Sequence, residues 1–212
     1  MKKRKIIIIV AIILVVFSFS FCFLKKDKYY SNKDFNVPTY ISKIDRDNDL
    51  IDDQTDILKN AKEYVKTKPK YKSKYYSSGY PDDGYGVCTD VVGYALKNSG
   101  YDLQQLVYED IKNNPKAYNI KTIDKNIDFR RVKNLKVYFD NHAISLTTDP
   151  KDISKWQGGD IVVFKNHIAI VSDKRNKNGV CYIIHHANPY QKSYEEDVLE
   201  HRSDIVGHYR VS

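Results

Sequence analysis

The amino-acid pattern is that of an α+β domain in which N-terminal helices pack on an antiparallel β-sheet, on three grounds. Several segments between residues 49 and 141 repeat their apolar residues at helical spacing. Beyond Asn141 the texture changes to short β-branched runs separated by Asn, Lys and Gly. Helices grouped before strands give an α+β order, whereas a parallel α/β sheet would alternate them. With 212 residues, the chain has room for one domain of ordinary size and an appendage.

The first helix is expected over 49–68, where Leu50, Ile51, Ile57, Leu58, Ala61, Tyr64 and Val65 recur and Pro69 stops the run. Residues 77–86, SSGYPDDGYG, carry three Gly and one Pro and belong to a loop. A second helix opens at Cys88-Thr89-Asp90 and runs to about Asn98, with residue types suited to its start and Gly100 suited to its end. Leu103 to Asn113, closed by Pro115, and Val132 to Asn141 give two more helices, with irregular chain between them. Strands are expected at 160–164, 167–173 and 180–186, with another at 205–211.

Residues 1–24 are expected to be a transmembrane anchor: Lys2, Lys3, Arg4 and Lys5 precede an uncharged run from Ile6 to Leu24, long enough to cross a bilayer as a helix. A cleaved signal, which would leave the rest secreted, is the alternative. It suits the sequence less, because Phe17, Phe19, Phe21 and Phe23 crowd the far end where small residues are wanted. Phe21 before Cys22 likewise does not suit lipidation. The heavier basic cluster lies before the run, so the N-terminus should stay in the cytoplasm and the remainder face outward. Residues 25–48 are expected as a tether and 49–212 as the folded domain.

The formal charge of +8 suggests nucleic acid only until it is divided. Residues 1–34 hold eight of the 35 Lys and Arg and two of the 27 Asp and Glu, so the remainder is near neutral and has no nucleic-acid footprint.

Outside the apolar run only Cys88 and Cys181 remain, too few for a disulfide framework. A cysteine at a helix N-terminus has its thiolate favoured by the positive end of the helix, and thiolate is the attacking form. Cys88 is therefore the candidate nucleophile, against the alternative of a small buried apolar residue. Its base must come from elsewhere in the chain. His167 opens the strand HIAIVSD, and YIIHH ends the next strand in His185 and His186, which alternation sends to opposite faces. A zinc site built from these residues has little support without a paired-cysteine motif, so no metal or cofactor is expected.

The string YYSSGYPDDGYGVCTDVVGYALKNSGYDLQQLVYED, followed by NIDFRRVKNL, WQGGDIVVF, HIAIVSD, EEDVL and GHYR, resembles the bacterial domain-of-unknown-function family 1287 over about residues 70–210. More distantly, three pieces resemble the NlpC-type cysteine peptidases of the cell wall: a Tyr-x-x-Gly loop before a helix-capping Cys, a Gly-Asp-hydrophobic strand and a His-hydrophobic strand. That resemblance implies a papain-like fold with Cys88 as nucleophile, His167 as base and His185 as the residue that orients the imidazole, His186 being the alternative. It also implies substrate contacts near the nucleophile, for which Tyr76, Tyr80 and Asp90 are the candidates. The nucleophile is flanked here as Val87-Cys88-Thr89-Asp90, where NlpC-type enzymes usually have Asp-Cys-Ser-Gly.

Together these expectations describe a monomeric, single-pass, extracytoplasmic cysteine hydrolase. It would cleave an amide bond in peptidoglycan or its peptides, as an endopeptidase or amidase, through an acyl-enzyme. An inactive cell-wall binding module and an acyltransferase using the same Cys-His pair are the alternatives.

Overall fold

The computed structural model describes residues 29–211, and the expected anchor lies outside them. Among the described residues no helix is long and apolar enough to cross a membrane. The helices are α1 (Asp53–Lys66), α2 (Cys88–Lys97), α3 (Leu103–Asn113), the single turns α4 (Pro115–Tyr118) and α5 (Lys125–Asp128), and α6 (Val132–His142). The strands are β1 (Lys70–Tyr71), β2 (Tyr85–Gly86), β3 (Ile144–Ser145), β4 (Ile161–Phe164), β5 (His167–Arg175), β6 (Cys181–Ile184), β7 (Glu195–Glu196) and β8 (Ile205–Arg210).

The main sheet has the order β3-β8-β4-β5-β6-β7, and every neighbouring pair in it is antiparallel. The molecule is therefore α+β, with helices on an antiparallel sheet. Alternation along the strands divides the core. Ile168, Ile170 and Ile184 join Ile57, Val91, Val92, Leu96 and Phe139 on the helical side. Val162, Phe164, Ala169, Val171 and Ile183 join Trp156 and Leu199 on the other.

Local chemistry sets the boundaries near the site. Asp52 caps α1 by accepting the Thr55 N–H, and the helix ends before Lys68, which has φ +54, and Pro69. At α2 the cap is inverted: Val87 has no side-chain acceptor, but Asp90 Oδ2 accepts the Val87 N–H at 2.8 Å. Asp160 of the Gly-Asp motif is fully buried and accepts from Gln54, Gln157, His208 and Arg210, which ties α1 and β8 to the start of β4.

Residues 29–48 differ from the expected tether. Tyr30 and Arg175 exchange two backbone hydrogen bonds, 2.8 and 2.7 Å, and Asn32 is buried between Gln157 and the Arg175 guanidinium. Arg175 is fully buried with no carboxylate partner among the described residues, and its other donors go to the carbonyls of Ile153, Trp156 and Gly179. Asn32 thus completes the hydrogen bonding of a buried cation, so this polar segment is part of the domain.

Candidate functional site

Cys88 is the first residue of α2, and its side chain is half-buried. The second cysteine, Cys181, is also unpaired but buried on the other side of the sheet. The Asp90 N–H is bonded to Val87 O at 3.0 Å, and the N–H groups of Cys88 and Thr89 are turned toward the sulfur. So is the N–H of Ile168, because β6 leaves the ladder at Ile184, opposite Ile170, two residues short of it. The sulfur therefore meets the strand at the peptide beside His167.

His167 sits at the start of β5, opposite Phe164, and its Nε2 lies 2.9 Å from His185 Nδ1. His185 Nε2 lies in turn 2.9 Å from Glu196 Oε2. Strand alternation accounts for the row. His167 shares its face with Ala169, and His185 with Ile183, which is opposite Glu196 across the β6–β7 ladder. The three side chains form a diagonal across three neighbouring strands.

Burial sets the protonation of the group. It pushes the Cys88 thiol up to about 11, against the lowering effect of the backbone donors. Burial, with His185 and Arg202 nearby, pushes His167 down to about 3, and burial also holds His185 at about 4. At rest Cys88 is therefore a thiol and His167 a neutral imidazole, where the helix-start position alone suggested a thiolate at Cys88.

His186 takes no part in the row. It is 4% exposed, its ring stands edge-on to Tyr71 and Tyr194, and its Nδ1 has no hydrogen-bond partner. Tyr71 lies opposite Gly86 in the β1–β2 ladder, two residues before Cys88. The Tyr64 hydroxyl, also unpartnered, lies 2.3 Å from where a Gly86 Cβ would be. With Thr89 Oγ1, three of the five buried unpartnered side-chain atoms among the described residues belong to residues around this turn.

The three expected substrate-contact residues fare differently. Tyr76 is half-buried, donates to Asp83 Oδ1 at 2.8 Å and has the Arg130 and Lys74 cations over its ring. Tyr80 is a core residue instead, packed on Phe129 and Tyr94 with its hydroxyl on Asp102. Asp90 is 1% exposed, and its oxygens are taken by the Arg130 guanidinium at 2.7 and 2.8 Å as well as by the Val87 N–H. Neither Tyr80 nor Asp90 turns a free polar atom to a substrate. Asp90 holds the first turn of α2 from beneath.

Glu196 is the member of the row that sequence reasoning passed over. It lies in a run of three acidic residues that looks like a solvated face, and only the ladder register separates their fates. Glu195 goes to Lys174 and Asp197 to Asn176. Away from this row, Asp45, Asp47 and Asp49 bring carboxylate oxygens within 4.8 Å of one another just before α1, with the alternate spacing of oxygen-donor loops for hard cations.

Residues 58–211 match the family described as Domain of unknown function (DUF1287). The uncharacterized protein YijF of Escherichia coli (strain K12) is 40% identical over 151 residues, which is 67% of this chain and 72% of that protein. No solved structure matches the chain. A match running from α1 to the end of β8, through Cys88 and all three members of the row, identifies the chain as a member of the DUF1287 family.

Proposed function

We propose that this chain is a membrane-anchored, extracytoplasmic cysteine hydrolase of papain-like, NlpC-type architecture that cleaves an amide bond in peptidoglycan or its peptides. The observation that carries this reading is a helix-start cysteine whose sulfur lies at the Ile168 N–H, one residue along β5 from His167, which begins the His167–His185–Glu196 row. The unpartnered polar atoms around the same turn support it, since a bound substrate is a natural source of partners. The cell-wall target rests on the NlpC resemblance and on an outward orientation set by residues 1–24.

Because thiol and imidazole are both neutral at rest, His167 takes the Cys88 proton as the sulfur adds to the amide carbonyl. The carbonyl oxygen becomes an oxyanion at the start of α2, where the Cys88 and Thr89 N–H groups and the helix dipole favour negative charge. The His167 imidazolium then protonates the leaving amine as the C–N bond breaks, giving a thioester. Water, deprotonated by His167, adds to the thioester, and the sulfur leaves and regains its proton.

The test is incubation of the purified full-length chain with peptidoglycan, native beside Cys88→Ala, followed by mass analysis of the soluble fragments. Hydrolysis gives fragments carrying one added water per bond, and Cys88→Ala abolishes them. Transfer of the acyl group to an added amine would identify an acyltransferase. Binding without new fragments from either protein would identify a binding module.

A further inference from the structure

We infer that Glu196 sets the tautomer of His167 and so acts as a positioning residue for the base of the proposed reaction, a role that rests on the reading of His167 as that base. A carboxylate only accepts hydrogen bonds, so at 2.9 Å from Glu196 Oε2 the Nε2 of His185 must carry hydrogen. A neutral His185 protonated there presents a lone pair at Nδ1. His167 Nε2, 2.9 Å from that lone pair, must then carry hydrogen in its turn. The only lone pair left on a neutral His167 is at Nδ1, and this atom becomes the base. The polarity of the whole row is thus dictated from its outer end, as a buried acid orients the base in other hydrolytic triads.

Two further features support the assignment. Burial keeps both imidazoles neutral at ordinary pH, which the alternation of donor and acceptor requires. Within the acidic run only Glu196 reaches an imidazole, because Glu195 pairs with Lys174 at 2.5 Å and Asp197 accepts from Asn176 at 3.0 Å. Glu196 is also 28% exposed through its side chain and lines an open cavity of 810 Å³, so it can be exchanged without opening the core.

The experiment is two-bond proton–nitrogen NMR of the full-length chain with ¹⁵N-labelled histidine, the His167 signals being those lost in His167→Gln. In the native chain near neutral pH, His167 is expected as the Nε2–H tautomer. Glu196→Lys replaces an acceptor with a donor at the outer end and should invert the row, moving His167 to the Nδ1–H form. Glu195→Gln should leave it unchanged. A native His167 carrying its hydrogen on Nδ1 overturns the assignment, and this holds even if the Lys variant does not fold. A folded Glu196→Lys chain with His167 still in the Nε2–H form overturns it equally. Peptidoglycan digestion is scored separately. A chain that cleaves nothing but shows these tautomers defeats the hydrolase reading alone, and one that cleaves with a native Nδ1–H His167 defeats the role of Glu196 alone.

Discussion

Replacing Arg130 with Met should be among the most damaging single changes that leave every member of the proposed catalytic group in place. The guanidinium is 2% exposed and the Asp90 carboxylate fully buried. Arg130 makes two charge-assisted bonds to Asp90, at 2.7 and 2.8 Å, and a third to Lys74 O at 2.7 Å. Removing one partner of such a pair leaves an uncompensated buried charge and costs about 3–5 kcal/mol. That is a large part of the roughly 5–15 kcal/mol that holds an ordinary domain together. Asp90 would keep only the Val87 N–H, and its unmasked charge would press on the Cys88 thiol, which it already raises. Urea denaturation measures the loss as a fall in midpoint at unchanged slope. The double variant Asp90→Leu with Arg130→Met removes both charges and should recover most of the stability, because an apolar pair of similar volume is often neutral or better. A loss below about 1 kcal/mol in Arg130→Met would refute the claim that this pair anchors α2. So would a double variant no better than the single one.

Other consequences can be measured on the same chain. His167 and His185 have folded values of about 3 and about 4, below the ordinary 6.5, so the unfolded chain binds more protons as pH falls from 6.5. Stability should therefore drop by about 1.4 kcal/mol per pH unit for each histidine, down to pH near 4 and then 3, and His185→Gln should flatten the thermal-melt profile. Glu196, raised by burial, works in the opposite direction over its own window. Gly86→Ala would set a Cβ 2.3 Å from the Tyr64 hydroxyl and should cost about 1–3 kcal/mol in chemical denaturation. Tyr64→Phe, which removes a hydroxyl with no partner, should be harmless alone and should relieve Gly86→Ala. Asn32→Ala removes the acceptor of the Arg175 Nε–H and the donor to Gln157 Oε1, and a loss of about 1–3 kcal/mol is expected in the same assay.

The fold was legible because its patterns are local. Pro69, Gly100 and Pro115 mark helix ends, and the four long helices and four long strands lie where periodicity and β-branching put them. The polar segment 29–48 was not legible as part of the domain. It has no apolar stripe, and its reason to dock is a buried Arg175 some 140 positions away that needs an amide acceptor. Short strands such as β7 carry too few residues for a period and exist only through the ladder to β6. At the site, residue types and the helix start pointed to Cys88 and the strand start to His167. Which of His185 and His186 stands beside His167 depended on the register of β5 against β6. Tyr80 and Asp90 were drawn to substrate contact by their nearness in sequence to Cys88, but nearness along the chain says nothing of which way a side chain turns.

The proposed reaction passes through a covalent bond from substrate to Cys88, which acid-quenched mass spectrometry of the full-length chain during peptidoglycan digestion can detect. A substrate-derived mass is expected on the peptide containing Cys88, with no such mass on Cys181 and neither adduct nor fragments from Cys88→Ala. Fragments released at equal rates by the native chain and Cys88→Ala would contradict it.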